Sequence, residues 1–322
     1  MREWERKIFS RKLLSGFAVS SLAFLAVAAF PLFGLIGFIF TPLPIMYYYS
    51  KLGRMQGLAV LGVSLVVLVI VSGVAGFKTS ISLFLMSGSL GLILSEALRR
   101  SRSIEKTVLH SAGALLALSL VLLICYSVTI GKTPWHLIEM YISESIRENI
   151  RLYSQLDVRS EQINLLKDNA KQITTVITSL SPALFLISLS FVVWLNILAG
   201  RLIFKKNGMW YPDFGDLACW KFPDRMVWIV IMSGGLLLIP VWAFRVVGLN
   251  LLILFLFIYM FQGLAIVTFF FKEKRVPRFI RVICYFLIFA QQILLLLIIG
   301  LGLFDVWIDF RKFNKKIDNS TA

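Results

Sequence analysis

Nine stretches of about twenty apolar residues, almost free of charge, leave this chain few ways to fold. They fall at 13–30, 32–50, 55–75, 79–98, 107–130, 179–200, 226–244, 249–271 and 282–304. About 20 apolar residues in a helix cross the hydrocarbon core of a bilayer. The reading is therefore all-α: a polytopic transmembrane helix bundle of about nine spans, forming one integral membrane domain over 1–322. The composition agrees, with 58% apolar and only 16% charged residues, where a soluble domain carries about 25% charged residues. Eight tryptophans gather near the ends of the apolar runs, as in the aromatic belts of lipid-facing helices.

The second run is the irregular one. Pro31, Pro42 and Pro44 remove backbone donors and mark a broken or re-entrant segment. The first run follows a basic start and contains Ala26-Val27-Ala28, a signal-peptide pattern. Its length and the runs behind it favour an uncleaved first helix.

Charge is distributed as a sidedness signal. With the N-terminus inside, the segments 1–12, 51–54, 99–106, 201–225 and 272–281 hold 21 Lys and Arg, against 12 outside. The outside set comprises Lys78, Arg245, six in 131–178, and Arg311, Lys312, Lys315 and Lys316 in the polar tail 305–322. This asymmetry orients the chain with a cytoplasmic N-terminus, in an inner (cytoplasmic) membrane. Eight spans would bring the tail inside but misplace a basic loop. The net charge of +16 is carried by short clusters between apolar runs, not by a basic face or arm. Nucleic acid is thus not the expected partner; the bilayer is.

The segment 131–178 differs from the rest. It holds six acidic and six basic residues, with Ile138, Ile142, Ile146 and Ile150, then Ile163, Leu166, Ile173 and Ile177, at helical spacing. Thr133-Pro134 suits a helix start, and Asp157 to Ser160 is the expected break. The expectation is an amphipathic, extracytoplasmic helical pair lying on the membrane or capping the bundle. A lid or docking surface is the sharper alternative.

Reactive chemistry is sparse. Cys125, Cys219 and Cys284 are far apart and His110 and His136 are the only histidines, so neither a disulfide framework nor a metal site is indicated. No phosphate-binding loop, HExxH or GxSxG motif occurs. No cofactor and no enzymatic activity are expected, and any ATP coupling would come from a partner subunit. The runs lack a central charge, which disfavours a self-energised carrier. They offer neutral polar groups instead: Asn196, Gln262, Gln291 and Gln292 form a candidate polar cavity, with Gln291-Gln292 equally suited to bonding across helices. Gly53/Gly57, Ser87/Gly91 and Gly113/Ala117 place small residues where helices pack closely.

Trp220-Lys221-Phe222-Pro223-Asp224, Asn250-Leu251-Leu252, Gln262-Gly263-Leu264-Ala265 and the closing Asp305-Val306-Trp307-Ile308-Asp309-Phe310-Arg311-Lys312, with Pro42-Leu43-Pro44 near the start, resemble the YybS-like bacterial membrane proteins, a domain family of unknown function. The N-terminal half is also similar to the substrate-binding subunits of energy-coupling-factor vitamin transporters and to MreD-type shape-determining proteins. The resemblance singles out Trp220, Pro223, Asn250, Asp305, Asp309 and Arg311. Asp305 and Asp309 would share a face if the last helix continues, and Arg311 and Lys312 would pair with them or with lipid phosphate. Two functions follow as expectations: a transport-associated binding subunit for an uncharged or zwitterionic solute, with no energy source of its own, or a non-transporting scaffold for envelope proteins.

Overall fold

The computed structural model describes residues 3–76, 80–100, 103–155 and 160–312. Lys78, the expected break at Asp157, and Lys315 and Lys316 lie outside the described residues. Within them the regular elements are helices: α1 (Glu3–Ala29), α2 (Pro31–Phe40), α3 (Pro42–Leu52), α4 (Arg54–Ala75), α5 (Ile81–Arg100), α6 (Ile104–Ile130), α7 (Pro134–Ser154), α8 (Ser160–Asp168), α9 (Ala170–Lys206), α10 (Val227–Leu238), α11 (Trp242–Glu273), α12 (Arg278–Ala290) and α13 (Gln292–Ile308).

Against the nine expected spans, the described helices are more broken. Six helices are long and apolar enough to cross a membrane, or seven if the bent pair α12 and α13 counts as one span. Three runs account for the difference. The run at 32–50 is split at Thr41 into α2 and α3. That at 226–244 is cut after Leu238, beside Pro240, leaving α10 with 12 residues. The last turns through 101° between α12 and α13. Apolar length alone cannot register such breaks. The 131–178 pair is corrected too: α8 stops at Asp168, and Ala170 onward belongs to the 37-residue α9, which carries Ile173 and Ile177 directly into a span. In α7 only Leu137 is buried, while Met140, Tyr141, Leu152 and Tyr153 stay exposed.

The expected single domain divides into two compact units. Unit 1 comprises Met1–Pro134 and Ser188–Phe214, and unit 2 comprises Trp135–Ile187 and Gly215–Ala322. In unit 1, α1, α3, α4 and α5 enclose a core of Phe24, Ile45, Tyr48, Val60, Leu61, Leu68 and Phe84. Small residues set the spacing, as the sequence suggests. Gly57 lies against Tyr49, and an added Cβ on Gly91 would meet Pro42 O at 2.6 Å. Ser87 bonds Thr41 across the same seam. Gly113, by contrast, has open space beside it.

In this unit the chain repairs its own proline break. Pro42 lacks the N–H that Phe38 O would take in a continuous helix, and the break at Thr41 interrupts the ladder at Ile39 O as well. Thr41 Oγ1 donates to Phe38 O at 2.7 Å, and Asn196 Nδ2, from α9, donates to Ile39 O at 2.8 Å.

Unit 2 is organised by α11. Its C-terminal half packs antiparallel to α13, where Gly263 faces the Ile298 carbonyl and Gly302 faces the Tyr259 carbonyl. Its N-terminal half packs on α10, with Gly248 against Ser233 O. Lipid tails are as apolar as leucine, so close van der Waals contact, not burial from water, holds such helices together. Substituting Gly302→Val should separate α11 from α13 and lower the melting temperature in detergent, whereas Gly113→Val should leave it within a degree or two. Equal melting of the two variants would refute this packing.

Candidate functional site

The residues that the sequence singles out in the second half converge on the meeting of α11, the end of α13 and the loop before α10. Asp305 is fully buried. Its Oδ2 accepts from Gln262 Nε2 at 2.9 Å and from Arg311 Nη2 at 3.3 Å, and its Oδ1 accepts from the Phe310 amide at 3.1 Å. Arg311 Nη2 also donates to Trp220 O at 2.9 Å, and Gln262 Oε1 accepts from the Phe222 amide at 3.2 Å. Phe222 packs its ring edge-on to Tyr259, centroids 5.8 Å apart. Pro223 lies between this anchor and the short turn Asp224–Met226 that leads into α10.

The expected shared face of Asp305 and Asp309 is not formed. Asp309 adopts φ 46°, in the left-handed region, and ends α13; its carboxylate pairs with Lys312 at 2.8 Å. That pairing holds the Asp309 carboxyl below the usual carboxylate range. Asp216, in the loop before α10, accepts from Lys272 Nζ at 2.5 Å and from the Ala218 amide at 3.0 Å. The Lys272 bond, then the amide, depress the Asp216 pKa. A depressed folded-state pKa adds stability above the unfolded value, and the gain is lost as pH falls through the folded one. Both partners are about half exposed, which keeps such a pair near 0.2–1 kcal/mol.

Asn250 has a separate task. Pro182 sits inside α9 and interrupts its hydrogen-bond ladder. Asn250 Oδ1 accepts from the Ala183 amide at 2.9 Å, and its Nδ2 donates to Ser179 O at 2.8 Å. One side-chain amide thus clamps the Ala183 amide and the Ser179 carbonyl, next to the rung that Pro182 cannot make to Thr178, whose carbonyl accepts from Ser181 Oγ at 2.8 Å instead.

Asn196, Gln262, Gln291 and Gln292, expected to line one polar cavity, are each held within their own unit. Asn196 is fully buried and bonded within unit 1, Gln262 fully buried and bonded within unit 2, and Gln291 and Gln292 are exposed at the bend between α12 and α13. The neutral polar groups of the spans serve the backbone or face outward.

A cavity does occur elsewhere, in unit 1, and the sequence reading missed it. It is a half-open cleft of about 290 Å³, lined by Ser50 and Lys51 of α3, Ser95 and Arg99 of α5, Phe204 of α9, and Tyr211 of the loop that follows. Lys51 Nζ donates to Tyr47 OH at 2.8 Å, and Arg99 Nη2 to Ser50 O at 3.3 Å. Tyr211 OH donates to Ile197 O at 2.6 Å, and burial pushes its pKa up. Arg54 and Arg100 converge on Glu96 at the same end of the unit. Three of the segments assigned to one side by charge, 51–54, 99–106 and 201–225, therefore contribute residues to one end of unit 1. The signal was present as basic clusters, but their convergence needed the fold.

Helices of this length and apolarity, with buried side-chain amides mending broken backbone, define a multi-pass α-helical membrane protein. The chain belongs to the family described as "Predicted membrane protein (DUF2232)", whose profile matches residues 18–306. No curated protein and no solved structure matches it.

Removing one partner of a buried ion pair strands the other, at about 3–5 kcal/mol, whereas replacing both with apolar groups is often nearly neutral. Asp305→Ala and Arg311→Leu should each destabilise strongly, and the double variant should recover most of the loss in a thermal double-mutant cycle. Strictly additive losses would show that the two do not act together. Asn250→Ala should cost about 1–3 kcal/mol for the stranded backbone groups. An N250A variant that melts like the parent would rule out that role.

Proposed function

We propose that this protein is a ligand-binding subunit of a membrane transport assembly, with no energy source of its own and no enzymatic activity. The cavity in unit 1, with its unpaired cations, hydroxyls and aromatic walls, carries this reading. Small-molecule sites combine mostly apolar walls with a few placed polar groups. The missing phosphate-binding loop and the uncharged centres of the apolar runs support dependence on a partner ATPase or membrane subunit. The likeness of the N-terminal half to energy-coupling-factor substrate-binding subunits points the same way. The basic-cluster asymmetry favours a cytoplasmic N-terminus in a bacterial inner membrane, which turns the cavity towards the cytoplasm. Its cations replace the uncharged or zwitterionic solute with an anionic one.

A scaffold role is favoured by a different observation, the exposed apolar side chains of α7. Gentle purification from cells, followed by mass spectrometry and transport assays in a deletion strain, separates the two. Copurification of an ATPase together with a lost flux of some solute supports the first reading. Photo-crosslinks from Tyr141 to one envelope protein, with unchanged fluxes, would replace it with the second.

A further inference from the structure

We propose that the unit 1 cavity binds a phosphate monoester, either a soluble ester or the headgroup of phosphatidic acid, between Lys51 and Arg99. This rests on the reading of that cavity as a ligand site and names the chemistry it takes. The charges at this end of the unit are not equivalent. Arg54 and Arg100 share Glu96 at 2.6 and 2.7 Å, and Arg201 faces Asp213 at 3.8 Å. Lys51 and Arg99, the two cations that line the cavity, make no ion pair among the described residues. The neighbouring carboxylates neutralise Arg54, Arg100 and Arg201 and leave Lys51 and Arg99, exposed where they line the opening, unmatched among the described residues.

Both cations are held in place while keeping donors to spare. Lys51 Nζ uses one donor on Tyr47 OH and sits 4.8 Å from the Tyr47 ring centroid. Arg99 uses Nη2 on Ser50 O and lies 5.7 Å from the Tyr49 ring centroid. An ammonium has three donors and a guanidinium five, so most of them remain for a ligand. A lone carboxylate is matched by a single guanidinium fork. Two cations that line one opening from α3 and α5 suit a dianion, with lysine as a point charge and arginine as a fork. Phosphate esters carry that charge near neutral pH. At about 290 Å³ the space is at the small end of ligand sites, enough for a phosphate and a compact organic body. Phe204, Leu98 and Tyr211 offer that body an apolar wall.

The full chain, purified into nanodiscs of zwitterionic phosphatidylcholine, should bind phenyl phosphate and, more weakly, inorganic phosphate, with saturable thermal stabilisation. Lys51→Gln with Arg99→Gln should weaken binding at least tenfold. Lys51→Arg with Arg99→Lys should keep it, which guards against misfolding of the first variant. Lys205→Gln with Lys206→Gln, in the last turn of α9, should bind as the parent does. Retention of phosphatidic acid in native mass spectra, lost in the double Gln variant and without phenyl phosphate binding, would assign the site to a headgroup. Phenyl phosphate binding in plain phosphatidylcholine would assign it to a soluble ester. The proposal is overturned if neither phosphate ester nor anionic lipid binds, or if the double Gln variant binds as the parent does. Phosphate binding without any partner ATPase or solute flux would leave this site standing and remove the transport reading. An ATPase partner and a flux of some other solute, without phosphate binding, would do the reverse.

Discussion

Hydrocarbon offers no hydrogen bonds, so each break in a membrane helix must be mended by the protein itself. That constraint explains why the few polar side chains in the apolar runs sit where they do. Asn196 supplies a donor to the carbonyl of Ile39 beside the Pro42 break. Asn250 bridges the rungs next to Pro182. Gln262 binds a buried carboxylate at the end of α13 and a loop amide at once. In each case a short polar side chain on one helix completes the backbone of another segment. Packing then follows, because a helix bonded to its neighbour at one point has its register fixed along the seam.

The sequence made the membrane class legible, since runs of that length with so little charge have no other use. It also made legible the irregular second segment, through Pro31, Pro42 and Pro44, and the small-residue seam at Ser87 and Gly91. It did not reveal the count of crossings. The turn at Gln291 and the cut at Pro240 sit inside continuous apolar stretches, and hydropathy averages over them. Gly263 and Gly302 escaped notice because they oppose one another from different helices, and spacing along one chain cannot show that.

The site was legible in membership more than in role. Trp220, Asp305 and Arg311 stood out together, and the fold brings them together. The shared face of Asp305 and Asp309 failed because Asp309 leaves the helix in a left-handed conformation. A polar group in an apolar run suggests a ligand, so by sequence alone Asn196 and Gln262 point to a void. The competing demand, an orphaned backbone group on another segment, is invisible until both segments are placed. The cavity beside Lys51 and Arg99 was hidden for the converse reason: its cations looked like ordinary sidedness signals.

The tie between Arg311 and Trp220 spans 91 positions, and this has a bearing on how the chain is made. During synthesis α11 enters the bilayer well before Arg311 leaves the ribosome, so Gln262 and the Trp220 carbonyl wait for partners at the very end of the sequence. Unit 1 waits as well, since its last helical segment arrives only after the interposed residues 135–187 have emerged. A nascent chain stalled before residue 305 would expose unmatched polar groups to lipid, the kind of intermediate that membrane quality-control proteases remove.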